Sequence, residues 1–355
     1  MPNLNEYFAE FTRRDWETTH DERVRLAVVG LGGFARERAL PAIDETDFCI
    51  LTTLVSGSPK KANSIAAAFG VDRVLDYDEF RDGVGSDAYD AVYVATPPAF
   101  HEEYARAAAT RGKHVLCEKP LAADLAGAER IVAACADAGV VCMTAYRLRT
   151  EPALRRMREV ITDGVIGDPV QVHAGFSSRL LEDMNPGTWR LDPDIAGGGA
   201  LMDLGVYPLN TTRFLLDSNP VSVVAETSSD GAPFDRVDEH VAVQLTFPSG
   251  ATASCTASFD AHPDSRLQVL GTEGQVRIAN PFGGDVSQRV VVEHEDTHTR
   301  YLGPPVDEVR EEFDYFANCI HSGRACETDG EDGLTDLRVI EAAYESAETG
   351  ERIAL

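Results

Sequence analysis

The stretch Val24-Arg25-Leu26-Ala27-Val28-Val29-Gly30-Leu31-Gly32-Gly33-Phe34-Ala35 decides the fold. A strand-type run passes directly into G-x-G-x-x-A, and a helical pattern follows. A glycine triplet alone also suits a packing turn; the preceding strand and following helix make it a phosphate-binding turn. Gly30 permits the tight turn, Gly32 lets the backbone approach a pyrophosphate, and Ala35 is small enough for the helix to pack closely on the strand. Backbone N–H groups and the positive end of the helix dipole favour phosphate there. Gly30, Gly32, Gly33, Phe34 and Ala35 are therefore the expected dinucleotide contacts.

Working outward, strand-type runs at Val24–Val29, Ile50–Val55, Arg73–Leu75, Ala91–Ala95, His114–Cys117 and Val140–Thr144 alternate with helical stretches such as Ile65–Phe69, Glu102–Thr110 and Leu125–Ala138. That alternation predicts a doubly wound parallel sheet. After Tyr146 a helix at Pro152–Thr162 leads into alternating segments at Val170–Ser178, Val221–Thr227, Glu239–Phe247, Ala251–Phe259, Arg266–Leu270 and Gln275–Ile278. These predict a largely antiparallel open sheet, closed by helices at Asp307–His321 and Leu334–Ala347. The fold class is an α/β Rossmann domain plus an α+β domain with a large, mostly antiparallel open sheet. The expected divisions are an N-terminal arm at 1–23, a dinucleotide domain at 24–147, and a substrate and oligomerisation domain at 148–355.

The end of the second strand selects the cofactor, because an acid there would accept from a ribose 2′-hydroxyl and repel a 2′-phosphate. Here it reads Val55-Ser56-Gly57-Ser58-Pro59-Lys60-Lys61, without an acid and with two of the chain's four lysines. Lysines at a helix start run against the dipole preference, whereas hydroxyls with ammonium groups suit a phosphate. NADP is the expected cofactor, with Ser56, Ser58 and Lys61 at its 2′-phosphate.

Ligands of open α/β sheets bind beyond the carboxyl ends of the strands. That places Thr96-Pro97-Pro98 with His101, and Cys117-Glu118-Lys119-Pro120, beside the cofactor. Thr96, Pro97, His101, Glu118 and Lys119 are expected to border it, and desolvation would fit Lys119 for catalysis. The second domain contributes Trp189-Arg190-Leu191 and the run Ala196-Gly197-Gly198-Gly199-Ala200-Leu201-Met202-Asp203-Leu204-Gly205-Val206-Tyr207. The glycines are expected to let backbone approach a ligand, and the helix to set Asp203 and Tyr207 four residues apart on one face. A phenol titrates near pH 10, so Tyr207 needs a neighbouring ammonium to act as a base, and Lys119 is the candidate.

The fingerprint, Glu118-Lys119-Pro120, Ala145-Tyr146-Arg147 and the Gly197–Tyr207 run, in this order over nearly the whole chain, resemble the Gfo/Idh/MocA oxidoreductase family. Tyr207, where many members carry histidine, together with Trp189-Arg190 is similar to the glucose-fructose oxidoreductase branch. Phe11-Thr12-Arg13-Arg14-Asp15-Trp16 and the Asp87–Val94 segment resemble haloarchaeal members. The pattern departs at Pro98, where relatives carry asparagine, which removes a side-chain contact from that position. The resemblance implies that Tyr207 takes the anomeric hydroxyl proton of an aldopyranose, D-xylose first, while C1 is oxidised to the lactone level by NADP. Lys119 and Asp203 would tune and orient the tyrosine, and Arg147, Trp189 and Arg190 would join the cofactor contacts. Glucose-fructose oxidoreductase activity, dihydrodiol dehydrogenase activity and a non-catalytic cofactor-sensing regulator are the alternatives.

Composition narrows the rest. The chain has 355 residues and a formal charge of −27, from 59 acids against 32 bases, which excludes nucleic acid and anionic membranes as expected partners. Only Lys60, Lys61, Lys113 and Lys119 are lysines, and the acidic excess with so little ammonium points to a halophilic protein. No apolar run is long enough for a membrane span, and the first 25 residues lack a signal-peptide core, so a cytoplasmic place is expected. Seven scattered cysteines suit reduced thiols. His294-Glu295-Asp296-Thr297-His298 matches H-E-x-x-H, but its flanks read as a hairpin, so no metal is expected. The expected partners are a sugar substrate and further copies of the chain, as a homodimer or homotetramer.

Overall fold

A computed structural model describes residues 14–283, 288–302 and 306–355. The described residues divide into two compact units: 16–147 with 307–337, and 14–15 with 148–283, 288–302, 306 and 338–355. Residues 307–337, which the sequence reading groups with the second domain, thus belong to the Rossmann unit. Of the N-terminal arm, residues 1–13 lie outside the described residues. Trp16 packs edge-on against Tyr315 of the same chain, with ring centroids 5.0 Å apart.

In the Rossmann unit β1 (Val24–Val29), β2 (Cys49–Val55), β3 (Arg73–Leu75), β4 (Ala91–Val94), β5 (His114–Glu118) and β6 (Cys142–Ala145) form one sheet in the order β3-β2-β1-β4-β5-β6. Every pairing is parallel. Parallel strands covered on both faces need apolar side chains on both, and Leu26, Val28, Val92, Tyr93, Val115 and Leu116 have no exposed surface. The helix Glu308–Ser322 packs into this core through Phe313 and Phe316, both fully buried. Each phenyl ring removed from water contributes about 1.5–3 kcal/mol, which is why this late segment joins the first unit.

The second unit holds a nine-stranded sheet. Its strands are β7 (Pro169–Arg179), β8 (Ser222–Ser228), β9 (His240–Thr246), β10 (Thr252–Ser258), β11 (Asp260–Gly271), β12 (Gly274–Ala279), β13 (Arg289–His294), β14 (Thr297–Leu302) and β15 (Ile353–Ala354). Their order is β14-β13-β12-β11-β7-β10-β9-β8-β15, and β7 with β10 is the parallel pair among antiparallel ones. Along β9, Val241, Val243 and Leu245 are buried while Ala242 and Gln244 are exposed, the alternation of a sheet with one wet face. Helix Val206–Leu216 packs on β7 and β10. Among the described residues, no helix is long and apolar enough to cross a membrane.

Candidate functional site

In the Rossmann unit the glycine turn sits where β1 ends between β2 and β4. The Gly30 amide donates to Val55 O at 3.1 Å. Gly30 has φ +96°, and a Cβ there would lie 2.8 Å from Ala95 O and 2.9 Å from Thr96 Cγ2. Only glycine fits that crossing. Around Gly32 and Gly33 a Cβ would meet nothing within 4 Å, so the turn opens onto free space. The first helical bond runs from Arg36 N to Gly32 O, which leaves the Gly33, Phe34 and Ala35 amides without intrahelical acceptors. Ala35 is buried against the sheet. Thr96 Oγ1, buried beside this turn, has no partner. A glycine cradle, orphan amides and an unpartnered hydroxyl fit a dinucleotide diphosphate.

At the end of β2, Ser56 is buried and its Oγ accepts the Ser58 amide at 3.2 Å, shaping the turn into helix Pro59–Phe69. Ser58 stands at that helix start without a side-chain cap bond, and Lys60 and Lys61 are exposed beside it. No carboxylate lies between Val55 and Lys61. The donors and charges there suit a phosphate monoester.

The ends of β4 and β5 are tied together from inside. His101 has no exposed surface; Nε2 lies 2.7 Å from Thr96 O, and Nδ1 lies 3.0 Å from Pro120 O and 3.3 Å from Leu121 O. Burial pushes its pKa down to about 4, so the ring is neutral at physiological pH. Fully buried, His101 presents no ring surface to solvent. The neutral ring carries one N–H, so it donates to the carbonyl on one side and packs against the other, between the Thr96-Pro97 turn and the loop after Lys119, whose bond to Pro120 is cis.

Glu118 also turns inward. Its carboxylate accepts from the hydroxyl of Tyr93, which is fully buried, and from the Lys119 amide at 3.2 Å. Burial raises its pKa, opposed by the Tyr93 hydrogen bond and the Lys119 and Arg147 charges. Arg147 pairs with Glu308, and burial together with the Glu118 charge pushes Glu312 well above the ordinary carboxylate range. Glu118 and Arg147 thus belong to one buried network with Tyr93, Glu308 and Glu312. The sequence reading missed Tyr93, Glu308 and Glu312; the signal was there, since acids at 308 and 312 share a face with Phe316 at helical spacing.

In the second unit, Arg190 Nε donates to Asp203 Oδ2 at 2.8 Å while its guanidinium lies 4.4 Å over the Trp189 ring. Trp189, Arg190 and Asp203 are therefore assembled into one group. Tyr207 is half-buried, its ring 5.7 Å from Phe176 and 6.2 Å from Phe282. The segment widens to a π-type turn over Leu201–Gly205 before the α-helix Val206–Leu216. Pro208 lacks an amide and would strike the carbonyl four residues back, and the wide turn accommodates it.

Two glycines of this segment are packed against protein. A Cβ on Gly198 would lie 2.2 Å from Tyr344 Oη, and one on Gly199 would lie 2.1 Å from Asp238 O. They are small because Asp238 and Tyr344 close over them. Asp238 accepts the Gly199 and Leu201 amides at 2.7 Å and the Tyr344 hydroxyl at 2.7 Å. It caps the helical segment that carries Asp203 and Tyr207, and the sequence gives no local hint of it. The H-E-x-x-H segment forms the β13–β14 hairpin, with His294 opposite Thr297 and His298 opposite Glu293. The helix that would bring two imidazoles to one zinc is not there.

Comparison with known proteins places these units. Residues 24–146 match the oxidoreductase family with an NAD-binding Rossmann fold, and residues 154–277 match the GFO/IDH/MocA C-terminal domain. The chain is 44% identical to D-xylose 1-dehydrogenase [NADP(+)] of Haloarcula marismortui over 99% of both chains. It is 32% identical to D-xylose 1-dehydrogenase (NADP(+)) 2 of Haloferax volcanii, over 93% of this chain and 99% of the other. Among solved structures, aldose-aldose oxidoreductase from Caulobacter crescentus complexed with glycerol superposes with a TM-score of 0.89 at 34% identity, over 94% of this chain and 100% of the other. A 3-ketoreductase from Actinomadura kijaniata in complex with NADP and TDP-benzene gives a TM-score of 0.82 at 27% identity, over 92% and 98%.

Proposed function

Because the chain belongs to the Gfo/Idh/MocA oxidoreductase family, we propose that it is an NADP-dependent sugar dehydrogenase that oxidises an aldopyranose, D-xylose first, at C1 to the lactone. The observation that carries this reading is the 44% identity, end to end, with a D-xylose 1-dehydrogenase [NADP(+)]. The acid-free end of β2 with Ser58, Lys60 and Lys61 supports NADP over NAD. The orphan amides after Gly32 would hold the diphosphate, and Lys61 with Ser58 the 2′-phosphate. When bound, the nicotinamide accepts the electron pair leaving the sugar carbon as hydride. Tyr207 removes the proton of the anomeric hydroxyl, and the Arg190–Asp203 pair fixes the segment from which the tyrosine projects. Lys119 is the catalytic residue proposed for the Rossmann unit, backed by Glu118 and by the His101 fastening. Positioning and proton transfer then supply most of the acceleration.

Steady-state kcat/KM for a panel of aldoses, with NADP and with NAD, tests the proposal. The expected result is a higher value with NADP, D-xylose at the head of the panel, and lactone or its hydrolysed acid as product. Xylose and glucose differ by one hydroxymethyl group, so their ratio falls within about 10–200-fold. Preference for NAD, or cofactor binding with no turnover of any sugar, would overturn it. The likeness to an aldose-aldose oxidoreductase supports a second reading, in which retained cofactor shuttles between two sugars; turnover of an aldose pair without added NADP would establish that reading instead.

A further inference from the structure

Four of the seven cysteines fall into two copies of one local pattern, Cys135-x3-Gly139-x2-Cys142 and Cys319-x3-Gly323-x2-Cys326. In each, the first cysteine lies on the last turn of a helix, Leu125–Ala138 or Glu308–Ser322. The glycine ends that helix in the left-handed region, at φ +64° in both copies. In the first copy Val140 N–H donates to Cys135 O at 3.1 Å, closing the reversal over the cysteine that starts it. The chain then doubles back, and the second cysteine returns beside the helix end.

The Rossmann sheet brings the two copies together. Cys142 opens β6, and the residues just after Cys326 pair with that strand: Thr144 N–H donates to Thr328 O at 2.8 Å, and Met143 bridges Asp329. Gly330 leaves room for the Cys142 sulfur, which a Cβ there would meet at 3.0 Å. Cys135, Cys142 and Cys326 line one open cavity of about 400 Å³, with His114 and Arg324 in its wall. Interaction within each pair, Cys135 with Cys142 and Cys319 with Cys326, draws the first thiol below the ordinary range and raises the second. Among the described residues no group of His, Cys, Asp and Glu is arranged to hold a metal ion. The arrangement is that of two dithiols, each set on one helix-end reversal, with Cys142 partly exposed and Cys135, Cys319 and Cys326 buried.

We propose that the two C-x3-G-x2-C turns form a twin dithiol site at which a peroxide oxidises Cys135 with Cys142, and Cys319 with Cys326, to disulfides. The thiolate of the first cysteine attacks a peroxide oxygen, breaking the O–O bond and giving a sulfenic acid and water (for hydrogen peroxide). The second thiol then attacks the sulfenic sulfur, forming the S–S bond and releasing a second water. Each pair loses two electrons and two protons, and one peroxide is reduced per pair.

The test is to treat the native full chain with hydrogen peroxide, alkylate in denaturant, and map the tryptic peptides. The expected result is loss of four alkylatable thiols of the seven. The peptide 131–147 should be two hydrogens lighter through its internal bond, and peptides 311–324 and 325–338 should be joined. In Cys142→Ser, Cys135 should instead be trapped as a sulfenic acid by dimedone, while the Cys319–Cys326 bond still forms. Retention of all seven thiols, bonds joining other partners, or direct passage to sulfinic and sulfonic acids would each overturn the proposal. So would the same map from protein oxidised after unfolding, since the pairing would then owe nothing to the fold. Should the serine variant not fold, the wild-type map alone decides.

Discussion

Tyr207 is where the proposed chemistry can be isolated most cleanly. Its ring rests against Phe176 and Phe282, so Tyr207→Phe keeps the aromatic packing and removes only the hydroxyl. General-base catalysis of this kind contributes about 10²–10⁴-fold, and the variant should lose about 100-fold or more in kcat. NADP affinity should stay near the wild-type value, because the proposed holding groups lie around Gly32 and Lys61. Kinetics paired with a fluorescence titration of the reduced cofactor read both quantities; near-normal turnover would remove the phenol from the mechanism. At this scale the sequence shows residue types but not their directions. Gly30 was legible because backbone geometry admits nothing else at that crossing, and Gly32 and Gly33 through the strand and helix that flank them. His101, Glu118 and Arg147 were legible as neighbours of strand ends, yet each points into the protein, toward Pro120, Tyr93 and Glu308, which the local sequence does not pair with them.

Elements read better than single side chains when their period is clean. Helices Leu125–Ala138 and Pro152–Thr162 and strands β1 and β3 lie where periodicity places them. The return of Glu308–Ser322 to the Rossmann unit was not legible, because an amphipathic helix declares that it has an apolar face and not which sheet will cover it. The same holds for Asp238, which follows an irregular loop and caps a segment 37 to 39 residues earlier in the chain. That cap yields a prediction at the level of the element. Asp238→Asn keeps the shape but replaces an acceptor carboxylate by an amide, so one of the Gly199, Leu201 and Tyr344 donors loses its acceptor, at about 1.5–3 kcal/mol for bonds to a charged group. The variant should melt at a lower temperature and lose kcat through misplacement of Tyr207, with NADP affinity unchanged. Tyr344→Phe, which removes a single donor, should show the same pattern more weakly. If both variants lost stability but kept full kcat, the cap would be structural alone.

At the level of the whole molecule the charge balance is the dominant fact. Fifty-nine acids against 32 bases leave −27 to be screened, and the bases are almost all arginine. Arginine holds its acids in fixed forks, as in Arg25 with Asp90 and Arg130 with Glu102, but such exposed pairs contribute only about 0–1 kcal/mol each. Helix Gly330–Thr349 carries further charge: Glu331, Glu345 and Glu348 stand exposed along it, and its one basic residue is Arg338. With a screening length of about 10 Å at 0.1 M salt and about 3 Å at 1 M, neighbouring carboxylates repel at the first concentration and are largely hidden from one another at the second. We therefore propose halophilic behaviour, with the thermal midpoint rising steadily from low to molar potassium chloride. Each kcal/mol of repulsion relieved moves the midpoint by about 2–4 °C in units of this size. Sodium chloride should act alike at equal ionic strength, because screening depends on charge and concentration rather than on the cation's identity. A midpoint that stays constant across the salt series would mean that the acids are already compensated within the folded chain, and the composition would then report only an arginine-biased genome.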